Sequence, residues 1–326
     1  MKTRLLTAAA ALTLFSVAAC GSSTDDAGAG DAAWTFTDDL GTTLELDAEP
    51  ERIVAQVSMA AALADLGIES VATFGPLVGA DGEVDPQAAG LDPEAVTDVT
   101  GGGEYGDIDV ETLVGLRPDL VITSTYIEPT LWYVNEATAE RMADLPLLVQ
   151  SFEDRSLTEI LDGTEEIAEA LGADLDTDVV QQAHADFDAA ADRLRAIGEE
   201  LGDRQIIAAS PATDVLYISN PEVSQDLKYY RDELGLPIVT PTNPDPQGYF
   251  ETLSWENADT YDADIVLWDA RVGEAGLAIF DTQPVWAATT AGSTGAYVPW
   301  VSVVPSSYEA QAAVMNQLAD DLEQYL

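Results

Sequence analysis

The chain has 326 residues, 47% of them hydrophobic, which is enough for two globular lobes of ordinary size with packed cores. Asp and Glu number 60 against 12 Lys and Arg, and the resulting net charge of −48 argues against a nucleic-acid-binding protein. No apolar run reaches the roughly 18 residues of a membrane span. A highly solvated surface accounts for the acidic excess, and life in high salt would fit it as well.

The N-terminus has the order of a secretory signal peptide: two basic residues, a short apolar stretch over residues 5–17, and small residues before Cys20. Cys20 is the only cysteine, so it closes no internal disulfide. Its position resembles a bacterial lipobox, in which the cysteine is lipidated; an ordinary cleavage site is the alternative. We predict a lipoprotein signal peptide and lipobox over residues 1–20. Residues 21–33, rich in Gly, Ser, Asp and Ala, are predicted to be a flexible tether.

Short predicted elements follow in the first half of the chain. Alternating apolar and polar residues over 34–46 predict a β-hairpin. A buried strand is predicted over 50–55, a helix over 58–66 and another strand over 71–74. The loop 101–106 formally matches G-x-G-x-x-G, but a lone match is weak, and neighbouring acids would repel a pyrophosphate. We therefore expect a mobile loop near a cleft at that position.

One short phrase occurs twice, at residues 111–122 and 256–267. Each copy reads Glu, seven residues, Asp and three apolar residues, and each follows a candidate N-cap, Asp109 or Ser254. The glutamate then falls in the first helical turn, where the helix dipole favours a negative charge. The apolar residues are typical of a buried parallel strand. A helix that leads into a buried strand, used twice, predicts two similar α/β lobes.

Between the two copies, apolar periodicity predicts two helices. The first spans residues 156–171, and the second runs about 25 residues from a cap at Asp176 or Thr177. The only histidine, His184, lies on the longer helix and is expected to be solvent-exposed. Further strands, a helix over 223–234 and a closing helix over 308–325 complete the second half.

The sequence contains no set of residues that indicates an enzyme. There is no Ser-His-Asp set, G-x-S-x-G elbow, P-loop or His/Cys metal cluster. Direct binding of a transition metal would need His or Cys ligands, and only His184 and Cys20 exist. These observations leave a chelated metal or a metal-free organic ligand, with a structural lipoprotein as the alternative.

Two segments carry a resemblance to a known family. Residues 50–67, PERIVAQVSMAAALADLG, and 109–123, DVETLVGLRPDLVIT, together resemble the ferric-siderophore and cobalamin binding proteins of ABC importers. The second copy of the phrase and the P-x-W segment at 284–286 match the family's second lobe more loosely. The resemblance covers roughly residues 50 to 320.

The resemblance implies two Rossmann-like α/β lobes joined by a single long helix, with a ligand cleft between them that changes little on binding. The corresponding boundaries are an N-terminal lobe over 34–175, a linking helix over 176–201 and a C-terminal lobe over 202–326. It also implies a monomeric, extracytoplasmic and lipid-anchored protein without catalytic activity. Such a protein would capture an iron(III)–siderophore complex and deliver it to a membrane permease; cobalamin or haem are the alternatives.

Candidate site residues follow from strand ends, where ligands bind in open α/β sheets, and from segments that the family uses. The proposed ligand-binding residues are Tyr126, Trp132, Tyr133, Phe152, Trp268, Arg271 and Trp286. A locally packed aromatic cluster is the alternative for the first three, and a salt bridge for Arg271. The family's motif further implies that Glu111 and Glu256 meet arginines of the permease. No cofactor is expected, since iron would enter only within the chelate, and the acidic charge favours a neutral or cationic hydroxamate over an anionic catecholate.

Overall fold

The fold is described from a computed structural model that covers residues 33–79 and 82–326. The predicted signal peptide, the lipidation site Cys20 and residues 21–32 of the predicted tether lie outside the described residues. Within the described ranges, the chain forms two α/β lobes joined by one long helix, which confirms the predicted fold class.

The N-terminal lobe contains a hairpin and a mainly parallel sheet. Its strands are β1 (Trp34–Thr37), β2 (Thr43–Leu46), β3 (Ile53–Gln56), β4 (Ala72–Phe74), β5 (Thr97–Asp98), β6 (Leu120–Ile127), β7 (Thr130–Leu131) and β8 (Leu147–Ser151). Its helices are α1 (Val57–Asp65), α2 (Val110–Gly115), α3 (Glu136–Arg141) and α4 (Leu157–Ala170). The sheet runs β5-β4-β3-β6-β8 with all neighbours parallel, and β7 pairs antiparallel with the end of β6.

The linking helix α5 (Asp178–Leu201) begins at Thr177, whose hydroxyl accepts from the backbone N–H of Val180. The C-terminal lobe contains β9 (Ile206–Pro211), β10 (Val215–Ser219), β11 (Phe250–Ser254), β12 (Ile265–Asp269) and β13 (Tyr297–Trp300). Its helices are α6 (Gln225–Asp232), α7 (Gly273–Leu277), α8 (Thr290–Thr294) and α9 (Tyr308–Leu322). The sheet order is β11-β10-β9-β12-β13, in which β9, β12 and β13 are parallel and β10 is antiparallel to both neighbours.

Each sheet is covered by helices on its buried faces. In the C-terminal lobe, α5 and α9 pack against one face of the sheet through residues such as Leu194, Leu267 and Met315. In the N-terminal lobe, α1 and α4 cover the sheet around Ala55, Leu63 and Ile122. Leu157 and Leu161 of α4 also join the cluster of the C-terminal lobe, so this helix packs against both lobes.

The aspartate of the repeated phrase has the same structural role in both lobes. Asp119 accepts hydrogen bonds from the backbone N–H groups of Glu51 and Arg52 at 3.1 and 2.9 Å. Asp264 accepts from the N–H of Gln205 at 2.8 Å. Each aspartate therefore fixes the start of the neighbouring strand, β3 or β9, beside its own strand.

The helical part of the phrase differs between the lobes. Asp109 caps α2 as predicted, accepting from the N–H of Thr112 at 3.0 Å. Ser254 was expected to do the same but makes no capping bond, and only a single 3₁₀ turn over Trp255–Asn257 follows it. The side chain of Asn257 donates to the Ser254 hydroxyl at 3.1 Å, a bond between two side chains that satisfies no backbone N–H of the turn.

His184 differs from its sequence-based expectation. Its ring is stacked on Tyr308 of α9 at a centroid distance of 3.9 Å, and its Nε2 lies 2.7 Å from a carboxylate oxygen of Glu165 on α4. The hydroxyl of Tyr308 donates to Asp162, also on α4, at 2.7 Å. The histidine is therefore partly buried where helices of both lobes meet the linking helix.

Candidate ligand-binding site

A cavity of about 250 Å³, here called the central chamber, lies between the lobes. The N-terminal lobe contributes Tyr126, Ile127 and Trp132 to its lining. The C-terminal lobe contributes Ser219, Ser224, Gln225, Tyr249, Phe250, Arg271, Trp300, Ser302 and Val303. The lining combines aromatic and aliphatic surface with a few polar groups, as is usual for small-molecule sites.

The N-terminal wall is an aromatic cluster at the end of β6. The ring of Tyr126 lies 4.8 Å from that of Trp132 and 4.9 Å from that of Phe152, with tilted and edge-to-face geometries. Burial raises the pKa of Tyr126 above its ordinary value, so its hydroxyl stays protonated and available as a donor. That hydroxyl forms no hydrogen bond with any residue that the structure describes.

The loop that formally matched a nucleotide motif contributes to this aromatic wall. Its Tyr105 packs on Tyr133 at 4.8 Å and on Trp132 at 6.1 Å, and its hydroxyl accepts from the N–H of Tyr133. Gly106 has φ +76, and a side chain there would meet the backbone of Asn135. Glycine is therefore required at that close approach, which holds Tyr105 against the aromatic wall.

Arg271 supplies the basic group of the chamber. Its Nε and Nη2 donate to the carboxylate of Asp269 at 2.6–3.1 Å, and Ser210 also donates to that carboxylate. The Asp269 side chain is only 5% exposed, whereas 44% of the Arg271 side chain is exposed. Burial acts to lower the pKa of Arg271, but the bonds to Asp269 outweigh it and the pKa is raised. The guanidinium is thus charged and held in place, and its Nη1 forms no hydrogen bond with the described residues.

Trp300 of β13 is held by a buried carboxyl group. Its indole N–H donates to Asp226 at 2.6 Å, and the hydroxyl of Ser224 donates to the same side chain at 2.8 Å. Burial raises the pKa of Asp226, while these hydrogen bonds act to lower it. Asp226 therefore fixes two chamber-lining residues without itself lining the chamber.

Two hydrogen bonds connect the lobes beside the chamber. The hydroxyl of Tyr249 donates to the carbonyl of Tyr126 at 2.8 Å, and the amide of Gln225 donates to the carbonyl of Phe152 at 2.9 Å. A neighbouring pocket of about 360 Å³ shares Tyr126, Ile127, Gln225 and Tyr249 with the chamber and is also lined by Lys228. On its other side, a pocket of about 520 Å³ shares Arg271 and Val303 with the chamber.

The ligand-binding residues predicted from the sequence take different positions relative to the central chamber. Tyr126, Trp132 and Arg271 line it, and Tyr133 lines the adjoining pocket beside Arg271. Phe152 is buried behind Tyr126.

The two predicted tryptophans of the C-terminal lobe lie elsewhere. Trp268 packs partly buried against the core of that lobe. Trp286 is buried in the same core, where its N–H donates to the hydroxyl of Tyr297 at 2.8 Å.

Several lining residues were not among the sequence candidates. Trp300 and Ser219 end strands β13 and β10, so the strand-end argument could have selected them. Tyr249 and Phe250 stand at the start of β11 after a long loop, and no local signal in the sequence marks them as cleft residues.

Glu111 and Glu256 lie on the outer surface of their lobes, each exposed and in the first turn of a short helical segment. Neither forms an ion pair within the described ranges. The structure thus leaves both carboxylates accessible.

The described residues contain no group of three or more His, Cys, Asp or Glu side chains placed to hold a metal ion. Within residues 33–79 and 82–326, no helix combines the length and apolar character that crossing a membrane requires.

Comparison with known proteins gives consistent matches. Residues 55–300 match the family described as periplasmic binding protein. A ferric-siderophore receptor protein from Streptomyces coelicolor, DesE, is 37% identical, with a TM-score of 0.80 over 89% of this chain and 98% of its own.

More distant solved structures share the fold. The triscatecholate siderophore binding protein FeuA from Bacillus subtilis, complexed with ferri-bacillibactin, is 15% identical, with a TM-score of 0.63 over 89% of this chain and 98% of its own. FhuD2 from Staphylococcus aureus with bound ferrioxamine B is 16% identical, with a TM-score of 0.58 over 84% and 98% of the two chains. A search of curated proteins found no match.

Proposed function

The chain belongs to the periplasmic binding protein family, and from that premise we propose that it is the extracytoplasmic solute-binding component of an ABC importer for iron(III)–siderophore complexes. It binds the complex in the cleft between its lobes and releases it to the permease. We assign no covalent chemistry and no cofactor to the chain, and iron enters only as part of the chelate.

The observation that carries this proposal is the inter-lobe chamber, with aromatic walls and one charged guanidinium. Aromatic side chains offer large contact area with few rotamers to freeze, which suits a bulky and partly apolar chelate. Arg271 can donate to the oxygens that surround ferric iron. The ferric-siderophore receptor that matches at 37% identity supports the same ligand class.

We propose a neutral or cationic hydroxamate complex as the ligand. The net charge of −48 repels a strongly anionic catecholate complex at long range. Within the chamber the charge of Arg271 is largely balanced by Asp269, so no free cluster of cations faces the ligand. The proposed ligand-contacting residues are Tyr126, Trp132, Tyr133 and Arg271.

The remaining parts of the proposal concern the cell surface. Lipidation of Cys20 anchors the protein, which acts as a monomer at the outer face of the membrane. The exposed Glu111 and Glu256 dock on the two halves of the permease. Charge pairs of this kind contribute orientation and association rate more than affinity.

Tryptophan fluorescence provides the test, because the chain has 6 tryptophans and two of them line the chamber. We expect ferrioxamine B, a hydroxamate chelate, to quench saturably with a Kd below about 1 µM, equivalent to about −8 kcal/mol. The iron-free siderophore is the control and should bind much more weakly. Absence of saturable quenching with ferrioxamine B and ferri-bacillibactin would contradict the proposed function, and preferential binding of the latter would reverse the ligand class.

A further inference from the structure

Ser219 holds a buried hydroxyl group that the fold leaves without a partner. It is the last residue of β10, is 2% exposed and lines the central chamber. Its Oγ forms no hydrogen bond with any described residue. A buried hydroxyl without a partner destabilises the folded protein.

Local folding gives no reason for a hydroxyl at this position. Alternation along β10 directs Leu216 and Ile218 into the core on one face of the sheet and Ser219 to the other face. The backbone of Ser219 pairs with Phe250 in the antiparallel ladder, which needs no particular side chain. Alanine would satisfy the same packing without the cost of an unbonded hydroxyl.

Most other polar side chains of the chamber are already bonded to protein groups. The hydroxyls of Ser224 and Ser302 donate to the carboxylates of Asp226 and Asp269, at 2.8 and 3.4 Å. The amide of Gln225 and the hydroxyl of Tyr249 bond to carbonyls of the opposite lobe. Ser219 and Tyr126 remain as the two hydroxyls of the lining without a hydrogen bond to the described residues.

We propose that Ser219 is a specificity-determining residue that donates a hydrogen bond to an uncharged carbonyl oxygen of the bound siderophore. The inference rests on the proposed function and extends it to one atom of the site. Ser219 and Tyr126 belong to different lobes, so a ligand that bonds both hydroxyls spans the cleft. An uncharged acceptor fits because a neutral hydroxyl in a largely apolar chamber compensates poorly for the desolvation of a full charge.

Replacement of Ser219 by alanine separates the ligand role from a structural one. We expect Ser219→Ala to raise the Kd for ferrioxamine B about tenfold, equivalent to about 1.4 kcal/mol. The melting temperature should stay equal or rise, because the substitution removes an unbonded hydroxyl from the interior. A contact with the ligand predicts weaker binding without loss of stability, whereas a structural role predicts loss of both.

Ser124 provides a matched control, since its hydroxyl is also buried and unbonded within the described residues, and it lines none of the cavities described above. Ser124→Ala should leave the Kd unchanged and should not lower the melting temperature. An unchanged Kd in Ser219→Ala, or a lowered melting temperature alongside weaker binding, would overturn the inference. Failure of the wild-type protein to bind either ferric chelate would instead overturn the proposed function, and this inference with it.

Discussion

Arg271 shows how one residue can be both a structural partner and a ligand-binding group. Two of its nitrogens bond the buried carboxylate of Asp269, and Nη1 forms no hydrogen bond with the residues that the structure describes. The two roles assigned to this arginine from its sequence position, salt bridge and ligand contact, are therefore compatible in one geometry.

Replacement of Arg271 by alanine should weaken ferrioxamine B binding at least tenfold, about 1.4 kcal/mol. It should also destabilise the fold by about 1–3 kcal/mol, because Asp269 would remain buried without its charged partner. The double change Arg271→Ala, Asp269→Asn removes that unpaired charge. Fluorescence titration and thermal unfolding should then show recovered stability but unrecovered binding; recovery of both would indicate that the arginine only supports the fold.

The sequence located part of the site because strand ends can be read from hydrophobic runs. Tyr126 and Arg271 follow such runs and line the chamber. Trp286 shows the limit of this approach: its segment lies between short helices, and its direction depends on packing against Phe280. The sequence also could not show that the Ser219 hydroxyl lacks a hydrogen-bond partner, because this depends on the hydrogen bonds of every neighbouring side chain.

At the scale of elements, helices of both lobes meet along the side of the molecule that carries the linking helix. The last residue of α1, Asp65, accepts a hydrogen bond from Ser307, the N-cap of α9, at 2.5 Å. Burial raises the pKa of Asp65 from 3.8 to about 6, with a smaller contribution from the charge of Glu309. The folded protein thus binds this proton more tightly than the unfolded chain does.

This shift predicts a specific pH dependence of stability. Because the folded pKa is raised, the contribution of protonated Asp65 is fully present below about pH 3.8 and is lost as pH rises through about 6. Asp65→Asn should therefore gain stability relative to wild type between pH 4 and pH 7, by at most about 3 kcal/mol. Urea unfolding across this range provides the measurement. The exposed control Asp203→Asn should show no such trend, and a flat difference for Asp65→Asn would contradict the assignment.

The repeated phrase shows what sequence can and cannot predict about an element. Its aspartate and apolar residues produced equivalent strands in both lobes, because Asp119 and Asp264 bond the start of the neighbouring strand. Its helical half did not, because Asp109 caps α2, whereas Ser254 makes no capping bond to a backbone N–H. The hydrophobic pattern of a buried strand therefore predicts the strand in both lobes. A helix of one or two turns depends in addition on its local capping bonds.

At the scale of the whole molecule, the lobes are connected on more than one side. The cluster of His184, Tyr308, Glu165 and Asp162 ties α4 to α5 and α9. Tyr249 adds a hydrogen bond between the lobes beside the chamber. These contacts join the lobes in this conformation, and we propose that the permease recognises features of the outer surface.

We propose that Glu111 and Glu256 are such features. They occupy the same place in the repeated phrase, one on each lobe, and both are exposed. Stabilisation of α2 accounts for about 0.3–1 kcal/mol at Glu111, whereas Glu256 lies in a single 3₁₀ turn. The helix dipole therefore explains the acid at Glu111 but not the acid at the equivalent position of the other lobe. A permease with two equivalent halves would make use of both.

The double change Glu111→Ala, Glu256→Ala should therefore abolish most siderophore uptake by cells while the Kd for the ferric siderophore stays near wild type. Uptake of radiolabelled iron complexed to ferrioxamine B, with fluorescence titration of the purified protein, measures the two effects separately. The matched control is Glu136→Ala, Glu274→Ala, which removes exposed first-turn acids from one helix of each lobe and the same total charge. Loss of uptake in both double variants would show that charge alone matters. Normal uptake in the first, with intact binding, would show that Glu111 and Glu256 stabilise only their own helices.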